Sequence, residues 1–280
     1  CLLGLIKSGG VVGLTRALED RDARVVSAAV IALGEIGYPS TVPTLLDLFE
    51  RCSYPHAWLI AAVLPSFGGE TWPHLKPLLA PGRLPPEKLV LLLKVIADFK
   101  AAESLEGLTL IYRTSDHLDV RISALNAIGK INDLAAVKMM FDALSSDQWQ
   151  LRATACRIVG EMSLKGAVYR LIPLIKDRSW YVRRNAVNAL ASLGKLGTMS
   201  LLTYLDVDDR YARDMIVQVL EERGIIENAV ADIASQEAGR RNEARRIVRL
   251  LLGKGYREYL RSFRHTSETL ERLIEEEAHA

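Results

Sequence analysis

A segment of about 31 residues recurs along this chain, and a fixed period of that length restricts the chain to a repeat architecture. Asp116 to Arg121, leading to Gly129, is followed by Asp147 to Arg152, leading to Gly160. Trp180 to Arg183, leading to Gly194, and Arg210 to Arg213, leading to Leu220, continue the series. The Arg that closes each of these segments marks the register. Equivalent positions are Val26, Ala57, Leu89, Arg121, Arg152, Arg183, Arg213 and Arg245, separated by 31, 32, 32, 31, 31, 30 and 32 residues. A unit of this size cannot bury its apolar face alone, so stacked neighbours must share one continuous core.

Each unit reads as two helices. Val42 to Leu48 and Tyr169 to Ile175 carry apolar residues at helical spacing near a proline. The second helix is predicted to begin at an Asp and end at a Gly. Asp20, Asp116, Asp147, Asp177 and Asp208 stand where an N-cap carboxylate accepts orphan amide hydrogens. Gly34, Gly129, Gly160 and Gly194 stand where a helix stops and positive φ is wanted. Ala28, Ala29, Ala124, Ala127, Ala153, Ala155, Ala186 and Ala189 are small enough for adjacent second helices to approach closely.

The pattern Asp-x-x-Trp-x-Val-Arg followed by Ala-Leu-x-x-Leu-Gly resembles the HEAT-like repeats, specifically their phycobilisome-lyase-type subgroup. Asp147 to Gly160 and Asp177 to Gly194 carry it best, with Trp149 and Trp180 in that family's Trp column. The resemblance covers residues 1–262. It implies an all-α, right-handed α-solenoid, an ARM-like superhelix of about eight two-helix repeats with the second helices on the concave side. The marker Arg is missing at Val26, Ala57 and Leu89, which makes the N-terminal half less regular. Residues 263–280 read as a C-terminal capping helix, beginning near Thr266 and Ser267, with a frayed tail after Glu275.

The chain has 280 residues, 49% of them hydrophobic, and a net charge of +2, so no global field draws it to nucleic acid or acidic membranes. Cys1, Cys52 and Cys156 are far apart and odd in number, which suits a reducing compartment rather than a disulfide framework. Leu3 to Ile6 align with Leu33 to Ile36, so the chain is expected to begin inside a repeat. The alternative makes Cys1 to Ile6 the last turns of an upstream membrane helix. The expected location is therefore the cytoplasm, as a free protein or as the cytoplasmic domain of a membrane-anchored one.

Arg121, Arg152, Arg183 and Arg213 recur in every regular unit, as a structural ladder requires and a single catalytic site does not. The variable positions offer a better surface. Five residues after the marker stand Lys94, Asn126, Arg157, Asn188 and Gln218, a polar ridge; one residue after it stand Trp58, Val90 and Ile122. A concave strip with apolar anchors and a hydrogen-bonding middle suits a segment of another protein. Tyr54, His56, Trp58, Trp72 and His74 form an aromatic and histidine group, expected chiefly as local core and too poor in ligands for a metal.

Arg241, Arg245 and Arg249 share one helix face and are followed by Lys254, Arg257, Arg261 and Arg264. They are candidates for binding phosphate, a nucleic-acid backbone or an acidic partner. Neutralisation by the acidic tail Glu268 to Glu277 is the favoured alternative. No phosphate loop, Gly-x-Ser-x-Gly, Cys-x-x-Cys or zinc-type His-Glu-x-x-His is present. No His precedes a Glu, so the paired motifs of the HEAT-like deoxyhypusine hydroxylases are missing. No catalytic residue, cofactor or metal ligand is assigned. The function expected is a non-catalytic protein–protein interaction scaffold. A phycobilin lyase or lyase subunit, implied only by the resemblance, and a DNA-binding or repair solenoid using the basic C-terminal helix are the alternatives.

Overall fold

Apolar residues three and four apart dictate short helices, amphipathic in α3, α7 and α14 and apolar nearly all round in α4, and no strand occurs among the described residues. The computed structural model describes residues 2–131, 133–206, 209–263 and 268–276, with side chains from residue 10 onward except at position 206. The chain is an all-α solenoid whose residues fall into two compact units, 1–142 and 143–280.

In the first unit the helices are α1 (Leu2–Ala17), α2 (Ala23–Ile36), α3 (Val42–Arg51), α4 (Tyr54–Val63), α5 (Trp72–Leu75), α6 (Pro86–Phe99), α7 (Leu105–Thr114) and α8 (Leu118–Gly129). A ninth, α9 (Leu134–Ala143), runs to the unit's end. The second helices α2, α4, α6 and α8 pack in succession, and α1, α3, α5 and α7 each back one of them. Between the layers Leu33, Leu45, Phe49, Ile60, Leu92, Ile96, Leu108 and Leu125 are fully buried.

The second unit contains α10 (Trp149–Glu161), α11 (Val168–Leu171), α12 (Trp180–Ser192), α13 (Gly194–Thr203), α14 (Arg210–Glu222), α15 (Ile225–Asp232), α16 (Ala238–Gly253), α17 (Arg257–Arg261) and α18 (Glu268–Glu276). Helices α10, α12 and α14 pack in succession. Pro173 lacks an amide hydrogen and its ring obstructs an α-helical carbonyl, so α11 passes into a 3-10 turn over Ile172–Lys176. In α18, Leu270, Leu273 and Ile274 are buried. Thr266, Ser267 and the tail from residue 277 lie outside the described residues, as do Cys1 and Arg264.

The second helices start later than the Asp positions predict. Their N-caps are Asp22, His117, Gln148, Ser179 and Asp209, not Asp20, Asp116, Asp147 and Asp177; Asp208 is outside the described residues. A side-chain turn stands ahead of α2, α8, α10, α12 and α16. Asp20 and Asp177 accept from the amides of Asp22 (2.7 Å) and Ser179 (2.8 Å), and the hydroxyls of Ser115, Ser146 and Ser235 accept from the amides two residues on. A carboxylate or hydroxyl closing such a turn is already committed before the helix begins.

Two of the expected helix-stop glycines have another task. Gly34 lies inside α2, which runs on to a left-handed cap at Gly37, and Gly160 lies inside α10. A Cβ on Gly34 would stand 2.6 Å from Val63 Cβ, and one on Gly160 would stand 2.9 Å from Ala189 Cα. These are points of close helix approach. Each is fastened by a serine of the neighbouring helix or its C-terminal turn: Ser66 and Ser192 donate to the carbonyls of Gly34 (2.8 Å) and Gly160 (3.1 Å). Gly129 ends α8 as expected, and Gly194 has φ +68. Of the eight packing alanines only Ala28 departs, being exposed.

Candidate functional site

The N-cap fixes the register: the marker sits four residues after it in every second helix. Val26, Ala57, Leu89, Arg121, Arg152, Arg183 and Arg213 obey this, but in the last repeat the position belongs to Arg241, because Glu237 caps α16. Arg245 is one turn too late. The hydrogen bonds agree. Arg152 donates to the carbonyls of Ser146 (2.7 Å) and Asp147 (3.0 Å), Arg183 to that of Asp177, and Arg241 to those of Ser235 (2.8 Å) and Gln236 (3.3 Å). Arg121 donates to Tyr112 O and lies 5.5 Å from the Tyr112 ring centroid. Arg152 also pairs with Asp177, and Arg183 with Asp209, each carboxylate coming from the turn of the following repeat. These arginines seal turns to helices. Where the marker is Leu89, the preceding residue substitutes: the buried Lys88 ammonium donates to the carbonyls of Phe49 (2.9 Å) and Glu50 (2.8 Å).

Burial raises the Asp177 carboxyl, but hydrogen bonds from Arg152 and the Ser179 amide outweigh it and hold the group below the usual carboxylate range. Burial pushes the Cys156 thiol up to about 12 and also raises the half-buried Cys52. Both are poor nucleophiles at neutral pH. Among the described residues no cluster of His, Cys, Asp and Glu has the makings of a metal site, and no helix is long and apolar enough to cross a membrane.

The ridge positions sit on the second helices in each unit. In the first, Trp58 of α4 is 56% exposed, Val90 and Ile122 of α6 and α8 are half-buried, Lys94 is exposed and Asn126 half-buried. In the second, Arg157, Asn188 and Gln218 each bond to a residue four away on their own helix: Glu161 (2.5 Å), the Arg184 carbonyl (3.1 Å) and Glu222 (3.0 Å). The group around Tyr54 is not local core. Ala57, Ile60 and Ala61 take the buried face of α4, which leaves Tyr54 and Trp58, one turn apart, in solvent. Trp72 is half-buried and His74 exposed on α5, while His56 contacts the Ala23 carbonyl at 3.2 Å.

The most exposed aromatic surface of the second unit was not among the candidates. Trp149, Trp180, Tyr181 and Tyr211 occupy the first turns of α10, α12 and α14 and are 39–80% exposed. Trp149 stacks on Tyr181 with ring centroids 5.3 Å apart, and Trp180 meets Tyr181 edge-on at 5.4 Å. Beside them a cleft of about 260 Å³ is lined by Trp180, Arg183, Tyr211, Asp214 and Gln218. The signal was present in the register. Leu151, Val182 and Ala212, just before each marker, are buried, so residues two and three places before it fall off the apolar face.

Repeats with helical pairs, sealed turns and a shared core define a class, and sequence comparison agrees with it. Residues 137–221 match the HEAT repeats, and residues 25–51 match the PBS lyase HEAT-like repeat. The chain thus contains HEAT-like repeats in both of these stretches. The second match covers a single repeat and speaks of repeat type, not of lyase activity. No curated protein matches the chain significantly. Among solved structures, the crystal structure of an engineered protein covers 99% of this chain and 89% of its own at 16% identity, with a TM-score of 0.50. Human deoxyhypusine hydroxylase in complex with glycerol covers 79% and 98% at 14% identity, with a TM-score of 0.41. The likeness to the engineered protein extends to the fold alone.

Proposed function

We propose that this protein is a non-catalytic scaffold whose second-helix surfaces hold a segment of a partner protein. The observation that carries the reading is the exposed, mutually packed row of Trp149, Tyr181 and Trp180, with Tyr211 on the next helix. Rings held against one another lose little further freedom when covered, and aromatic residues dominate the energetics of interfaces. Covering one such ring contributes on the order of 2 kcal/mol. Arg157, Asn188 and Gln218 supply exposed or half-exposed polar groups on the same three helices, whose intrahelical bonds a partner can exchange to set register. In the first unit Trp58 is the corresponding anchor, with Val90, Ile122, Lys94 and Asn126 on the helices that follow.

The test compares quantitative co-purification by the wild type with that by Trp180→Ser/Tyr181→Ser and by Lys94→Glu/Arg157→Glu. All four side chains are exposed, so unfolding midpoints should stay the same. Partners retained by the wild type and lost from both double variants support the reading. Equal recovery by all three removes these surfaces from consideration.

A further inference from the structure

The basic C-terminal helices find acids within the chain, Arg249 meeting Glu276 at 3.9 Å and Arg261 meeting Glu271 at 3.5 Å. The aromatic cleft on α12 and α14 does not balance its charge in this way. Arg178, Arg183 and Asp214 are the charged side chains that line it. Arg183 pairs with Asp209 at 3.0 Å, and Asp214 with Arg210 at 3.6 Å and the Tyr256 hydroxyl at 3.2 Å. Arg178 is exposed and has no acidic partner among the described residues, so one positive charge is left over. The rings that line the cleft are Trp180 and Tyr211, 58% and 80% exposed, from the first turns of neighbouring helices.

We propose that this cleft holds a proline-rich segment in the polyproline II conformation, with an acidic residue against Arg178. The inference rests on the scaffold reading and names the chemistry of the segment held. A polyproline II strand repeats every three residues and rises about 9 Å per turn. Packed helices lie about 8–10 Å apart. A strand laid across α12 and α14, which pack together, therefore brings the same face to Trp180 and to Tyr211, as a Pro-x-x-Pro spacing requires. Proline has no amide hydrogen, so an aromatic ring covers it without stranding a donor. The strand's carbonyls have no internal partners, and the Trp180 indole N–H and Tyr211 hydroxyl, unbonded among the described residues, are donors beside it. Two arginines against one Asp disfavour a cationic side chain in spite of the rings, and favour a carboxylate.

Fluorescence polarisation of the full chain tests it with three labelled peptides: one carrying Pro-x-x-Pro flanked by Glu on each side, the same with its prolines replaced by Ala, and the same with its Glu residues replaced by Lys. The first should bind at least tenfold more tightly than the second and also more tightly than the third. Tyr211→Ser should weaken it about tenfold, and Arg178→Glu should make the Lys peptide the better ligand. Arg178 and Tyr211 are exposed, so both variants keep the wild-type unfolding midpoint. Equal binding of the proline and alanine peptides, no binding of any peptide, or wild-type affinity in Tyr211→Ser would overturn the proposal. Loss of partners from Trp180→Ser/Tyr181→Ser with no peptide bound removes this inference and leaves the scaffold reading standing.

Discussion

Arg152 on α10 donates to both carboxylate oxygens of Asp177, at 2.7 and 2.9 Å, across the junction between two repeats. The same guanidinium binds the carbonyls of its own turn, while Asp177 caps the next turn and offers its carbonyl to Arg183. Local turn and inter-repeat contact are thus one network. Each member fixes the geometry that the next requires.

Breaking this pair should be costly, because the side chains are only 16% and 7% exposed. Removing one partner of such a pair leaves the other buried and unpaired, so Asp177→Ala should lose about 3 kcal/mol in denaturant titration. Arg51→Ala is the control: its pair with Asp47 is exposed and should cost under about 0.5 kcal/mol.

The pair also gives stability a pH dependence. Asp177 has a folded carboxyl pKa below its unfolded one, so the unfolded state binds more protons between the two. Its contribution is complete above about pH 4, the unfolded value, and disappears as pH falls through the folded one. Acid unfolding followed by circular dichroism should be less steep below pH 4 in Asp177→Asn than in the wild type.

Gly160→Ala should destabilise by about 1–3 kcal/mol, since the new Cβ meets the Ala189 backbone and the helices must separate. Gly166→Ala has open space around it and should change stability by less than about 0.5 kcal/mol. Equal midpoints for the two variants would contradict the close approach of α10 and α12.

Lys88→Met keeps the aliphatic volume but leaves two carbonyls at the end of α3 without their donor, for a loss of about 2 kcal/mol. Lys94→Met, on the exposed side of the same helix, should be close to neutral in thermal unfolding.

Cys156 is buried and its thiol is raised to about 12, so a thiol reagent at neutral pH should label it only after denaturant is added. Labelling of Cys156 in the native protein, read by mass spectrometry, would mean that α10 opens readily.

Much of the repeat is legible along the chain itself. The spacing of Arg121, Arg152, Arg183 and Arg213 placed the second helices, since a marker four residues past the cap repeats whenever the turn does. Spacing alone points to Arg245 because α16 carries arginines one turn apart, whereas the carbonyls of Ser235 and Gln236 single out Arg241. The helix starts differ from the Asp positions because Asp20 and Asp177 close a turn rather than cap a helix, and ahead of α8 and α10 Ser115 and Ser146 close it in place of the neighbouring Asp. Of the surfaces, the exposure of Trp58 was open to inference from register, whereas the stacking of Trp149 on Tyr181 was not.

Period, helical pattern and marker residues lie along the chain itself, and so the sequence by itself determined the all-α repeat fold and the order of its helices. Which glycine marks a close approach, which arginine seals a turn, and which aromatic side chains remain in solvent depend on atoms 25 to 33 residues away, as with Asp177 and Arg152 or His56 and Ala23. Those choices were decided only by the tertiary structure, because packing between neighbouring helices determines which groups have partners and which are left to water.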